Sequence, residues 1–246
     1  MKSPVTAIIQ ARMSSTRLPG KVLKEIGGKT MLEMVVERAR AAHLITDVVV
    51  ATSIDETDDA IVTKCHELRI PVVRGALDDV LSRYYTAAQA YPAPTYVRLT
   101  ADCPLLDPAV IDKVINAFQD NDVDYAANRM PDKRTYPIGL DVEVFSASFL
   151  MEANQKGQHG YQREHVTPYM YDCSSTRPIL HVESGIPNMH YERWTVDTKE
   201  DLALIKSIID TLGPEIRPFE DVLAFLSAHP ELKTINSNIR QKSFRE

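Results

Sequence analysis

Five cations crowd one stretch near the amino end: Arg12, Arg17, Lys21, Lys24 and Lys29 lie between Ala11 and Lys29, opposed only by Glu25. The whole chain has 28 Lys plus Arg against 34 Asp plus Glu, a formal charge of −6, so this local +4 leaves a remainder that sums to −10. Positive charge concentrated on so long a connection suits a phosphate-rich ligand, with a solvated basic loop as the plainer alternative. Two aspartates far along the chain offer the complementary chemistry. Asp102 stands in TADCPLLDP, just past a β-branched run, and Asp107 before Pro108 is already placed to cap the next helix, which leaves Asp102 available. Asp197 closes RWTVD in a similar position, although Asp197 or Thr198 would equally cap the helix that follows. Magnesium takes one or two protein carboxylates together with phosphate oxygens and waters, which is what an aspartate facing a basic phosphate loop supplies.

Other candidates are weaker. Arg74, in VRGALDD, stands at a strand end and is a candidate nucleotide contact, while Asp78 and Asp79 suit helix capping. In TYPIGLDVEVF, the two-residue period puts Asp141 and Glu143 on one strand face, for metal, for acceptor hydroxyls, or simply as an exposed sheet face. Tyr136, Arg163, His165 and Arg193 complete a candidate acceptor pocket, and a lone histidine such as His165 is more often structural than catalytic. Gly28-Lys29-Thr30 imitates the end of a nucleoside-triphosphatase loop, but Leu23 stands where that motif needs glycine, so a turn at Gly27-Gly28 is expected instead. Cys103 has no base beside it and reads as a buried thiol.

The elements that must position these residues alternate. Val5 to Ile9, Val48 to Ala51, Pro71 to Val73, Tyr96 to Thr100 and Val123 to Ala127 read as strands. Between them, helices are signalled by the capping box of Thr30 and Glu33, by a segment from Asp55 to Leu68, by Asp78, and by Asp107-Pro108. Strict alternation implies a mostly parallel sheet covered on both faces, with ligands beyond the carboxyl ends of the strands, where the basic loop belongs. From about residue 129 to 190 the pattern changes, with a strand at Leu140 to Phe145 and a polar helical stretch through GYQREHVTPYMYD, and an excursion from the sheet is expected. Strand character returns at Tyr191 to Val196, a helix follows Asp197, another covers Phe219 to Leu226, and the tail from Lys233 is expected to fray. No linker divides residues 1–246, so one domain is expected.

Composition narrows the class. With 44% hydrophobic residues the chain is globular rather than disordered, and its acidic balance disfavours duplex nucleic acid as a partner. Three scattered cysteines without CxxC spacing disfavour a disulfide framework or structural zinc and point to a reducing compartment. No run approaches the about 18 apolar residues of a membrane span and no signal peptide opens the chain, so a cytoplasmic protein free of membrane is expected.

The string IIQARMSSTRLPGKVLKEIGGKTML resembles the opening of the cytidylyltransferases that make CMP-activated sugars, closest to the spore-coat polysaccharide branch and similar to CMP-3-deoxy-octulosonate synthetases. Agreement continues weakly through VRGALDDVLSRYY, LTADCPLLD, YPIGLDVEVF, REHVTPY and WTVDTKEDL. The resemblance implies a nucleotide-diphospho-sugar transferase fold of glycosyltransferase A type, a three-layer α/β/α sandwich. It implies CTP on the opening loop, with Ala11, Ser15 and Thr16 beside the nucleotide, Arg12, Arg17 and Lys21 on the triphosphate, and Mg2+ on Asp102 and Asp197. Arg12, Lys21, Asp102 and Asp197 would then be catalytic, and a sugar or sugar-acid acceptor would attack the α-phosphorus and release pyrophosphate. A homodimer is usual, with the 129–190 excursion serving acceptor and interface. Octulosonate synthetases carry glutamate after the first metal aspartate where this chain has Cys103, which sets their acceptor apart. A glycosyltransferase would display Asp-x-Asp after a central strand, whereas here Asp120, Asp122 and Asp124 border a helix; a catalytically silent nucleotide-binding module is opposed by the basic loop and both aspartates.

Overall fold

The structure is a computed structural model that describes residues 3–131, 133–186 and 189–241. Its first half follows the alternation: β1 (Val5–Gln10), the short pair β2 (Glu25–Ile26) and β3 (Lys29–Thr30), α1 (Met31–Ala41), β4 (Asp47–Ser53), α2 (Asp59–Glu67), β5 (Val72–Gly75), α3 (Val80–Ala90), β6 (Thr95–Thr100) and α4 (Pro108–Gln119). The second half adds β7 (Tyr125–Ala127), β8 (Arg129–Met130), β9 (Lys133–Arg134), β10 (Glu143–Ser146), α5 (Ala147–Lys156), α6 (Gly160–His165), α7 (Pro168–Asp172), β11 (Ile179–His181), α8 (Lys199–Leu212) and α9 (Phe219–Ala228). Seven strands make one sheet in the order β11-β7-β10-β6-β1-β4-β5. The run β6-β1-β4-β5 is parallel, as strands joined through helical crossovers are, and β10 enters antiparallel between β6 and β7.

Central strands of such a sheet are buried on both faces. In β1, Ile8 packs with Val49, Tyr84 and Phe149 on one side, while Ile9 joins Val35, Val50, Val97 and Ile111 on the other. Helices α3 and α5 cover the first face and α1, α4, α8 and α9 the second, which makes the three layers of the expected sandwich. The helix starts come from local chemistry. Thr30 and Glu33 close the capping box of α1, Asp79 caps α3 through Ser82 N, and Asp107 caps α4 at Ala109 N. Among the described residues, no helix is long and apolar enough to cross a membrane.

Four expectations are corrected. The 129–190 segment does not wholly leave the sheet, because β10 and β11 extend it and α5 packs on one of its faces, while the β8–β9 hairpin forms a separate two-stranded pair. The Leu140 to Phe145 strand pairs with the sheet only from Glu143 onward, and GYQREHVTPYMYD is broken into α6 and α7 at Val166, which sits at φ 70°. The stretch Tyr191 to Val196 does not join the sheet: Tyr191 closes a 3-10 turn (Met189–Tyr191), Arg193 makes a single bridge to Ile138, and Val196 N donates to Asp102 O at 2.9 Å. An alternating run is compatible with a strand, and tertiary placement decides whether one forms. The tail is anchored as far as Gln241: Asn236 donates to Arg193 O at 3.0 Å and Asp201 Oδ1 at 2.9 Å, Lys233 pairs with Glu192, and Arg193 Nη1 donates to Gln241 Oε1. Residues 242–246 lie outside the described residues.

Gly139 fixes the late extended stretch against the body. Its φ is 112°, and a Cβ there would stand 2.6 Å from Thr195 N and 2.7 Å from Trp194 C. Neither backbone atom yields cheaply, so Gly139→Ala is expected to lower stability by about 2–3 kcal/mol in urea unfolding, from strain and displaced packing together; an unchanged midpoint would refute this account of the contact.

Candidate active site

The loop leaving β1 is held by both apolar and polar anchors. Leu18 and Val22 are buried in the core, so Arg17 and Lys21 beside them cannot drift. Gly20 takes the left-handed region at φ 68° and its N–H donates to Met13 O at 2.9 Å, turning the chain into a short 3-10 segment at Lys21–Leu23. Met13 N donates to Asp58 Oδ1 at 2.7 Å, while Asp58 Oδ2 accepts from Thr52 Oγ1, Ser53 N and Ser53 Oγ. Asp58 is fully buried and was not singled out from sequence; within SIDETDDA it resembles any acidic helix start. Gly27 and Gly28, both at positive φ, close the two-residue β2–β3 hairpin as the expected turn, Lys29 and Thr30 form β3, and Lys29 pairs with Glu37.

Lys21 is where the distant parts meet. Its Nζ donates to Asp102 Oδ2 at 2.7 Å, to Asp197 Oδ1 at 2.7 Å and to Val196 O at 2.8 Å. Asp102 follows β6, the neighbour of β1, and Thr100 Oγ1 steadies its other oxygen at 2.6 Å. Thr198, with Asp201, forms the capping box of α8, so Asp197 is released toward Lys21. Its second oxygen accepts from Arg193 Nη2 at 2.7 Å and lies 3.0 Å from Arg17 Nη2. Burial works against the charge of both Lys21 and Asp102, yet their mutual attraction outweighs it: the ammonium is held above its usual range and Asp102 is drawn down to about 2. Cys103 is buried, and desolvation beside Asp102 keeps it a thiol.

Around this centre the remaining candidates separate. Ala11 is buried with its N–H on Ala51 O, Ser15 is half-buried, Thr16 is exposed, and Arg12 lies 3.8 Å from Glu164 on α6. His165 is next to that glutamate, and burial lowers its pKa, as do Arg98, Arg129 and Arg12 around it. Arg74 is committed to Ser53 O, Asp55 O and Asp59, where it clamps the β4–α2 connection. Arg163 is committed to Asp79 and Asn154. Arg193 is buried against Asp197 and Asp201 and orients the former. Tyr136 is buried, edge-on to Phe219 at 5.6 Å, and is a core residue rather than a lining one. The expected Asp-x-Asp alternatives are remote: Asp120 ends α4 and Asp124 pairs with Arg177 at the amino end of β7, the opposite edge of the sheet.

Asp141 and Glu143 do not share an open face. Asp141 pairs with Arg134 outside the ladder. Glu143 is 1% exposed and ion-paired with Arg98, and it accepts from Tyr125 at 2.6 Å, Thr167 at 2.8 Å and Tyr171. The motif REHVTPY thus delivers a hydroxyl, Thr167, to a buried carboxylate, a contact invisible in one dimension. Although burial opposes ionisation, Arg98 and Arg129 hold Glu143 down to about 2. A depressed carboxylate stabilises fully above its unfolded pKa, so this contribution should fade only as pH falls from about 4.5 toward about 2. Glu143→Gln, which leaves Arg98 buried without its counter-ion, is expected to cost about 3–5 kcal/mol at pH 7 and to flatten acid unfolding in that window; a parallel pair of stability curves would contradict it.

A family profile described as cytidylyltransferase matches residues 6–228. The chain is 36% identical over 249 aligned positions to an uncharacterized protein of Methanocaldococcus jannaschii, covering 98% of each. It is 34% identical to the spore coat polysaccharide biosynthesis protein SpsF of Bacillus subtilis, covering 92% of this chain and 95% of that one. The solved structure of a cytidylyltransferase from Leptospira borgpetersenii superposes with a TM-score of 0.88 at 30% identity, covering 98% of this chain and all of the other. With the basic loop, the paired aspartates and the sheet that joins them accounted for, the chain belongs to the cytidylyltransferase family.

Proposed function

We propose that this chain couples CTP to a sugar or sugar-acid acceptor, releasing pyrophosphate and a CMP-activated product for surface polysaccharide synthesis. The observation that carries the reading is the convergence of Lys21, Asp102 and Asp197 beside the Arg12–Arg17 loop at the carboxyl edge of β1 and β6. An acceptor oxygen forms a bond to the α-phosphorus as the bond from that phosphorus to the departing pyrophosphate oxygen breaks. Such a transfer needs alignment and charge neutralisation rather than a protein nucleophile. Arg12 and Arg17 are partly exposed on the loop and would bind the β- and γ-phosphates, and Lys21 would hold charge that gathers on the leaving group.

A divalent ion fits the donor set. Asp102 Oδ2 and Asp197 Oδ1 each lie 2.7 Å from one ammonium, so two hard oxygens already gather round a single cation position. Two carboxylates are what Mg2+ takes when phosphates and water complete its shell. Asp102 and Asp197 would hold it, and bound there it would neutralise phosphate charge and acidify an acceptor hydroxyl. Arg193 keeps Asp197 in place through its own tie to Asp201. A cytoplasmic setting is part of the same reading, supported by free Cys65, Cys103 and Cys173, as is a second copy of the chain as partner, which rests on the family resemblance.

Pyrophosphate release from CTP across a panel of acidic sugars tests the assignment. Lys21→Ala and Asp102→Asn, each checked by circular dichroism, should lose about 3 kcal/mol of transition-state stabilisation, roughly a hundredfold in rate. Wild-type turnover by both folded variants would sink the site. Chelation with EDTA should abolish release and added Mg2+ restore it; full activity in EDTA would remove the ion from the reaction.

A further inference from the structure

Arg83, in the first turns of α3, is 2% exposed, and its Nε and Nη1 find no hydrogen-bond partner. Lys21, Arg98 and Arg193, the comparably buried cations of this edge, are each ion-paired with a carboxylate, although Arg98 Nε is also without a hydrogen-bond partner; Arg83 forms no ion pair among the described residues. A guanidinium offers only donors, and buried donors left unmade are costly, so this one is built to meet an acceptor. The fold makes room for its arm: a Cβ on Gly75, at the end of β5, would stand 2.6 Å from Arg83 Cγ. Burial lowers its pKa, and Arg12, Asp58 and Asp79 contribute to its electrostatic surroundings, so it belongs to the same edge as the basic loop.

Its place along that edge says which part of a nucleotide it meets. In the order β6-β1-β4-β5, the Lys21–Asp102 centre lies at β6 and β1 and Arg83 beside β5, up to three strand spacings or about 14 Å away. That is of the order of the reach of a nucleoside from its α-phosphate to the far edge of its base. Resting on the cytidylyl-transfer reading, we infer that Arg83 donates to the ring edge of the bound base and selects cytosine over uracil. Cytosine presents adjacent acceptors, O2 and N3, whereas uracil presents N3–H, which meets a guanidinium donor to donor. A site built to donate to O2 and N3 together disfavours the analogue that keeps the O2 acceptor but carries a proton on N3.

Calorimetric titration of CTP and UTP with the wild-type protein, Arg83→Met and Arg83→Lys decides it. The wild type should prefer CTP. Arg83→Met should weaken CTP about 10- to 100-fold with little change for UTP, so the preference collapses, and Arg83→Lys should restore part of it; a merely structural arginine would not move this ratio. Equal loss for both nucleotides would reassign Arg83 to phosphate or ribose and overturn the inference, as would an unchanged CTP affinity. If Arg83→Met fails to fold, Gly75→Ala, which displaces the arm and keeps the charge, must narrow the preference. A wild type that binds neither nucleotide would refute cytidylyl transfer itself, whereas one that binds CTP while the variants keep its preference would refute only the role of Arg83.

Discussion

One ammonium group organises this molecule. Lys21 Nζ joins the loop after β1 to Asp102, 81 residues away, and to Val196 and Asp197, 175 and 176 residues away. The two carboxylate oxygens can be no further apart than twice 2.7 Å, and like charges that close repel by about 3 kcal/mol at the effective dielectric of a protein edge. A cation between them turns that repulsion into a three-way attraction. The same requirement explains why a site of two aspartates is paired with a loop rich in Arg and Lys: whichever cation sits there, the carboxylates are tolerable only when neutralised.

The parallel sheet is what makes the meeting possible. Because β6, β1, β4 and β5 point the same way, every loop that follows them opens on one edge, and residues remote in sequence become neighbours without any long-range signal between them. Apolar anchors Leu18 and Val22 then fix the loop, and buried Asp58 ties Met13 to the end of β4. On the other side of β6 a second charge system, Arg98 with Glu143 and the hydroxyls of Tyr125, Thr167 and Tyr171, fastens β10 and the α6–α7 junction to the sheet. Buried pairs of this kind add little net stability over an apolar substitute, but they fail sharply when one partner is lost, which favours a single arrangement of the wall next to Arg12 and His165.

Local signals were readable because their physics is local. The Thr30–Glu33 capping box, Asp107 before Pro108 and the Gly27-Gly28 turn each concern a few adjacent residues, and each formed as the sequence implied. Where a side chain's partner lies far along the chain, residue type misled. Arg74, Arg163 and Arg193 look like ligand contacts in one dimension, yet each is spent on protein acceptors, and Tyr136 is packed in the core. The alternation of Leu140 to Phe145 and of Tyr191 to Val196 yields a sheet strand only at Glu143–Ser146 and a single bridge at Arg193, because alternation carries no record of which strand, if any, will be alongside.

Alternating strands and helices, with a +4 loop after the first strand, determined the layered parallel fold and the edge to which the basic loop is brought, because periodicity and capping act within a turn or a strand and helical crossovers leave one outcome. The tertiary structure alone decided that Asp197 is freed by Thr198 to face Lys21, that Glu143 is sealed beneath α6 and α7, and that Nε and Nη1 of Arg83 are buried without a hydrogen-bond partner. Those outcomes depend on the distance and solvation of charged groups from different elements, quantities that exist only once the elements have packed.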